Sequence, residues 1–185
     1  MLSCFLISST SFVIYNLGFL ELMPEFECNY PGNSTTFPCK EKNFCGTDIE
    51  YNIVQGEDSL DNWVEKLGLI CRPSWQIGLL GSSLFIGWSL TTLWLPKLAD
   101  TFGRKKLVWA GAMIDLFLMT VMFISKSFWL TVGTIFVIGL VSSVRVTVNF
   151  TLQQEYIGKK HRVMYGTIWH IQDGLVVLYA AVYFW

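Results

Sequence analysis

Five long stretches of this chain are apolar almost without interruption, and the polar residues gather between them. The stretches are Leu2–Leu20, Pro73–Pro96, Leu107–Ser125, Ser127–Val144 and Val163–Trp185. A hydrocarbon layer of about 30 Å is crossed by about 20 apolar residues in a helix, so each stretch predicts one spanning helix. The first, second and fourth contain no Asp, Glu, Lys or Arg; the third holds Asp115 and the fifth Asp173. The fourth is expected to continue past Arg145 toward Gln154. Helices apolar on all sides have no face to turn to water, which excludes the core of a soluble domain. The expected organisation is a first helix over 1–20, a loop over 21–72 outside the cytoplasm, and helices two to five over 73–185.

The first stretch reads as a retained span. A secretory signal needs a basic start and a small-residue cleavage site. Met1–Cys4 has no base, and the run leads into Glu21-Leu22-Met23-Pro24. Cys4 reads as a small apolar packing residue.

Composition agrees. The chain has 185 residues, of which 52% are hydrophobic and only 15% charged, against roughly 25% charged in soluble domains. Mean hydropathy is +0.46, pI about 6.1 and net charge −1. No basic excess points to nucleic acid as a partner. There are two histidines and no GxSxG, HExxH or P-loop motif, so the expectation is a non-enzyme with no cofactor and no metal.

Short loops rich in Lys and Arg stay cytoplasmic. Lys97, Arg104, Lys105 and Lys106 follow the second stretch, and Lys159, Lys160 and Arg162 follow the fourth. The segment 21–72 is acidic by contrast. This orients the N-terminus inside and Trp185 at the outer side, in a multi-pass protein expected in the plasma membrane with the lipid bilayer as its first partner. Trp63, Trp75, Trp88, Trp94, Phe128 and Trp129 read as interfacial anchors rather than a stacking or sugar site.

The outer segment holds Cys28, Cys39, Cys45 and Cys71. An even count in an oxidising compartment predicts two disulfides, with all three pairings open. Zinc is the poorer reading, because there is no CxxC pair and no histidine nearby. Asn33-Ser34-Thr35 is a glycosylation sequon; Asn149-Phe150-Thr151 lies at the inner end of a span, beyond the reach of glycosylation. Leu60, Trp63, Leu67 and Ile70 recur at helical spacing opposite Asp58, Asp61 and Glu65. They predict an amphipathic helix over 57–70, either an ordinary surface helix or a lid over a pore entrance.

Two short motifs carry the functional reading. Leu95-Pro96-Lys97-Leu98-Ala99-Asp100-Thr101-Phe102-Gly103-Arg104-Lys105-Lys106 resembles the GxxxD(R/K)xGR(R/K) loop of the major facilitator superfamily. Asp100, Gly103, Arg104 and Lys105 match; Pro96 replaces the first glycine and Thr101 a base. Glu155 and Arg162 stand at the E-x6-R spacing of the sugar and organic-cation branches, and Phe150-Thr151-Leu152 with the span that follows is similar to the organic-cation branch. The Pro24…Cys28 entry and Trp63…Leu69-Ile70-Cys71 exit of the outer segment resemble that branch too.

The resemblance implies an all-α partial bundle, the first five of twelve helices of a facilitator fold with a long extracellular loop between helices 1 and 2. It implies that Asp100, Arg104, Glu155 and Arg162 form half of a cytoplasmic latch; Lys97, Lys106, Lys159 and Lys160 read as topology-setting, solvated charges. It also implies that the fifth span lines a central cavity. Charges inside a membrane cost roughly 2.5–3.5 kcal/mol on insertion scales and so mark candidates. Asp173 then binds a cation, moves a proton, or pairs structurally with His170. Trp169, His170, Gln172 and Asp173 are cavity candidates, with Asn16 and Arg145. Arg145 lies deeper than the family's arginine, whose place is held by Ile135, while Gly139 fits the family's glycine one turn on. Asp115 reads as a packing acid. The expected function is alternating-access transport of small organic ions or solutes by a longer carrier of which this chain is the N-terminal part, needing a C-terminal half or partner subunits. The rival is a non-transporting structural subunit of a membrane complex.

Overall fold

The computed structural model describes residues 2–29, 36–47, 49–54 and 63–184. Helix dominates. The long elements are α1 (Leu2–Leu20), α4 (Ser74–Phe102), α5 (Arg104–Ile124), α6 (Phe128–Ser143), α7 (Asn149–Tyr156) and α8 (Arg162–Phe184). Between α1 and α4 lie β1 (Phe26–Asn29), β2 (Thr36–Cys39), α2 (Glu41–Phe44), β3 (Glu50–Ile53) and α3 (Trp63–Lys66). Ser74–Leu95, Arg104–Ile124 and Phe128–Tyr156 are each long and apolar enough to cross a membrane.

Helices α6 and α7 are one rod, joined through a π-helical segment at Val144–Val148. This rod is the centre of the bundle: over half of its apolar stretch is buried, against 22% for the stretches in α4 and α5. Its contact with α4 is made by glycines. A Cβ added at Gly87 would fall on the carbonyl oxygen of Phe136, and one at Gly139 on that of Leu84. Small residues at a crossing let backbones meet in an apolar solvent that gives no hydrophobic drive. A hydrogen bond of 3.0 Å between the hydroxyls of Thr92 and Ser143 joins the two helices toward the other end.

The segment between α1 and α4 is not a plain loop. β1 is the central strand of an antiparallel sheet of order β2-β1-β3, with Phe26 opposite Cys39 and Ile53. Phe26 and Cys28 alternate with exposed Glu27 and are buried, as a half-buried strand requires. The ring of Phe44 stacks on Tyr51 at 4.3 Å and meets Phe26 edge-on at 5.1 Å. Disulfides join Cys28 to Cys39 and Cys45 to Cys71, one closing the sheet and one tying it to the start of α4.

The helix expected over 57–70 stops before Ile70. Residues 55–62 lie outside the described set, and α3 ends at Lys66. Leu69 N–H donates to Val64 O at 2.8 Å and Gly68 N–H to Glu65 O at 3.2 Å, with Gly68 at φ +60°. This is a Schellman stop, for which glycine has the backbone freedom. Ile70 therefore lies beyond the helix. Val64, Leu67 and Leu69 are buried against Val13 and Leu17 of α1, Leu80 and Leu84 of α4, Met122 of α5, and Phe128 of α6. The segment thus plugs one end of the bundle. At the opposite end, Leu95 and Ala99 pack on Val108, Val144 and Val148.

Candidate functional site

Three polar groupings stand out among the described residues. The first is the corner between α4 and α5. Gly103 alone separates the two helices; its N–H donates to Ala99 O at 3.1 Å, and its φ of +83° is costly for any residue with a Cβ. The corner turns Arg104 back across Asp100, with Arg104 Nη2 to Asp100 Oδ1 at 3.5 Å. The same guanidinium donates from Nη1 to Glu155 Oε1 in the last turn of α7. One cation thus holds two acids from two helix ends. The fourth expected member is elsewhere: Arg162 Nε donates to the carbonyl of Ile157 at 3.3 Å, across the turn into α8. Lys105 is exposed. A cavity of about 210 Å³ beside the corner is lined by Thr92, Leu95, Asp100, Arg104, Thr147 and Thr151.

The second grouping is an ion pair at membrane depth. Arg145, 1% exposed, bonds through Nη1 to Asp115 Oδ2 of α5, whose side chain is 7% exposed. The Arg145 stem packs over Gly111, one turn before Asp115. Arg145 lies in the π segment, a distortion that gathers at functional sites. Arg145 thus reaches across to α5, and Asp115, on the face of α5 that packs against the rod, is half of a buried pair.

The third joins α1 to α8. Tyr15 O–H donates to Asp173 Oδ2 at 3.1 Å, while Asp173 Oδ1 is buried without a hydrogen-bond partner. One turn back on α8, Trp169 stacks obliquely on Phe150 of α7 at 4.5 Å, and its indole N–H is buried without an acceptor. His170 is exposed and its ring lies along that of Trp169, so the partner of Asp173 is Tyr15. Gln172 is half-buried on the same helix. Asn16 is buried and donates to Phe12 O at 2.6 Å. It lines a separate groove of about 680 Å³ with Phe12, Trp63, Lys66, Tyr179 and Tyr183. Tyr15 lies outside every motif, and a phenol tip inside an apolar span is its one mark in the sequence.

Asn33 falls outside the described residues. Among those described, no three His, Cys, Asp or Glu residues are grouped to hold a metal ion. Just outside α1, Glu21 packs against Gly81. Burial pushes its carboxyl above the ordinary glutamate value, against a smaller lowering from the Gly81 backbone N–H.

No protein-family model matches the chain. It is similar to human solute carrier family 22 member 2, 25% identical over 82% of this chain and 29% of the relative. Human organic cation/carnitine transporter 2 is 25% identical over 75% of this chain and 26% of its own length. A probable peptide/nitrate transporter of Arabidopsis thaliana is 34% identical over 43% of the chain and 17% of its own length. The resemblance to organic-cation carriers drawn from the two motifs is therefore borne out. The chain spans less than a third of the length of these curated relatives.

Proposed function

We propose that this chain is the N-terminal part of a facilitator-type carrier that moves small organic ions by alternating access. All five long helices then cross the bilayer, with the N-terminus and the Gly103 corner in the cytoplasm and the disulfide-bridged sheet outside, in the plasma membrane. The observation that carries the reading is Arg104 held between Asp100 and Glu155. A carrier must shut one side while the other is open. A charge-assisted clasp between helix ends can do this and still release, because exposed ion pairs are worth only about 0–1 kcal/mol each. Catalysis has no part in this reading.

Asp173 is the proposed substrate anchor. A carboxylate given one hydrogen bond by Tyr15, with its other oxygen buried and unpaired, needs a donor or a positive charge. Trp169, one turn before it, pairs with Phe150, so the wall next to this stretch of α8 is aromatic, as suits an organic ammonium group. A cation bound there would touch α8 directly and α1 through Tyr15, a midplane position between helices of the kind carriers use.

The alternative is a non-transporting subunit built from the same bundle. Reading the transcript through codon 185 separates the two. An open frame continuing into further apolar spans supports the carrier; a stop codon with co-purifying partner chains supports the subunit. Uptake of a quaternary ammonium tracer by the full-length product should then fall at least tenfold with Asp173→Asn. Unchanged uptake would remove Asp173 from the site.

A further inference from the structure

We propose that the end of the bundle carrying the Gly103 corner binds the headgroups of anionic phospholipids. The segments 97–106 and 155–162 hold seven bases, Lys97, Arg104, Lys105, Lys106, Lys159, Lys160 and Arg162, against two acids, Asp100 and Glu155. Both acids are taken by Arg104. The other six bases are exposed, and the Arg104–Glu155 pair draws the α4–α5 and α7–α8 corners together into one patch.

Beyond the Arg104 clasp and the Arg162 bond to Ile157 O, the backbone at these positions does not favour the charges they carry. Arg104, Lys105 and Lys106 open α5, and Arg162 opens α8. The first turn of a helix presents unpaired N–H groups and favours anions, so cations there oppose the helix dipole. An anion on this surface would meet the helix ends and the side chains with the same sign of attraction.

The level fits a lipid headgroup better than a dissolved anion. Lys97 lies two residues beyond Leu95, where the apolar stretch of α4 ends, and the apolar stretch of α5 starts at Arg104 itself. Trp109 is 53% and Tyr156 75% exposed, rings of the kind that settle at the membrane–water boundary. The proposal rests on α4, α5 and α6–α7 crossing a membrane, and is independent of transport.

The test uses the purified chain in nanodiscs of phosphatidylserine and phosphatidylcholine, with retained lipid counted by native mass spectrometry. The wild-type chain should retain phosphatidylserine over phosphatidylcholine by roughly tenfold or more, since several bases act together. Changing Lys97, Lys106, Lys159 and Lys160 to Gln should bring the ratio near parity. Changing the same four to Arg should keep it, and Lys40→Gln with Lys42→Gln in the outer segment should leave it unaltered. Should the Gln variant fail to insert, the wild-type chain still decides: the preference must weaken as salt rises. No preference in the wild type, a preference kept by the Gln variant, or displacement of the lipid by millimolar inorganic phosphate would each overturn the proposal. Protease protection of the outer segment reports separately whether the chain spans the membrane.

Discussion

Gly87 and Gly139 meet where α4 crosses the central rod, each glycine facing backbone of the other helix with no room for a methyl group. Gly87→Ala or Gly139→Ala must push the helices apart or displace a carbonyl. Overpacking of this kind costs about 1–3 kcal/mol, more than the roughly 1 kcal/mol that alanine gains over glycine in a helix. Gly133, on the same rod, has open space where its Cβ would stand. Thermal unfolding in detergent should therefore show both crossing variants destabilised and Gly133→Ala neutral or slightly stabilised. Equal behaviour of the three would mean the crossing tolerates a methyl group.

Glu21 gives a pH dependence of definite sign. Its carboxyl titrates higher in the folded chain than the ordinary 4.5, chiefly through burial. The folded state thus holds this proton more tightly than the unfolded state. Stability falls as pH rises above the ordinary value, by linkage. Glu21→Gln removes the term. The variant should gain on the wild type as pH is raised from about 4.5 toward neutrality, and the two should converge in acid. A constant difference in melting temperature across that range would rule Glu21 out as the source.

The helices were legible because a span is written in composition over twenty residues. α4, α5 and the α6–α7 rod each lie on an apolar stretch, and the corner could be placed because Asp100, Gly103 and Arg104 are close in sequence. The sheet was not legible. Its strands are four residues long, too short for a period of two to emerge, and its core depends on Phe26, Phe44 and Tyr51 meeting from three elements. The two disulfides could be counted but not paired, since pairing depends on that fold. Long-range partners were invisible for the same reason. Nothing near Arg145 names Asp115, thirty residues away, and nothing near Asp173 names Tyr15.

Cys45–Cys71 should matter to the bundle more than Cys28–Cys39. The first spans 26 residues and joins α2 to the approach to α4; the second spans 11 and lies within the sheet. A disulfide contributes about 2–4 kcal/mol, more for longer loops. Cys45→Ser with Cys71→Ser should loosen the plug formed by Val64, Leu67 and Leu69. Limited proteolysis should then cut residues 63–72 faster and the melting temperature should drop. Cys28→Ser with Cys39→Ser should expose the sheet while leaving the protection of 63–72 largely intact. Identical digestion patterns would mean the two bridges brace one unit.

Asp115 and Arg145 test whether a buried ion pair holds the π segment in place. Removing one partner strands the other charge at membrane depth, and breaking a buried pair costs about 3–5 kcal/mol in soluble proteins. Asp115→Leu and Arg145→Met should each be severely destabilising, seen as loss of folded chain on size-exclusion chromatography. The double substitution removes both charges and keeps most of the volume, so it should recover much of the loss. Asp115→Arg with Arg145→Asp should recover less, because Gly111 is shaped to the long stem of Arg145 and not of its replacement. If the double apolar variant were as damaged as the sum of the singles, the pair would not be coupled, and the π segment would need another cause.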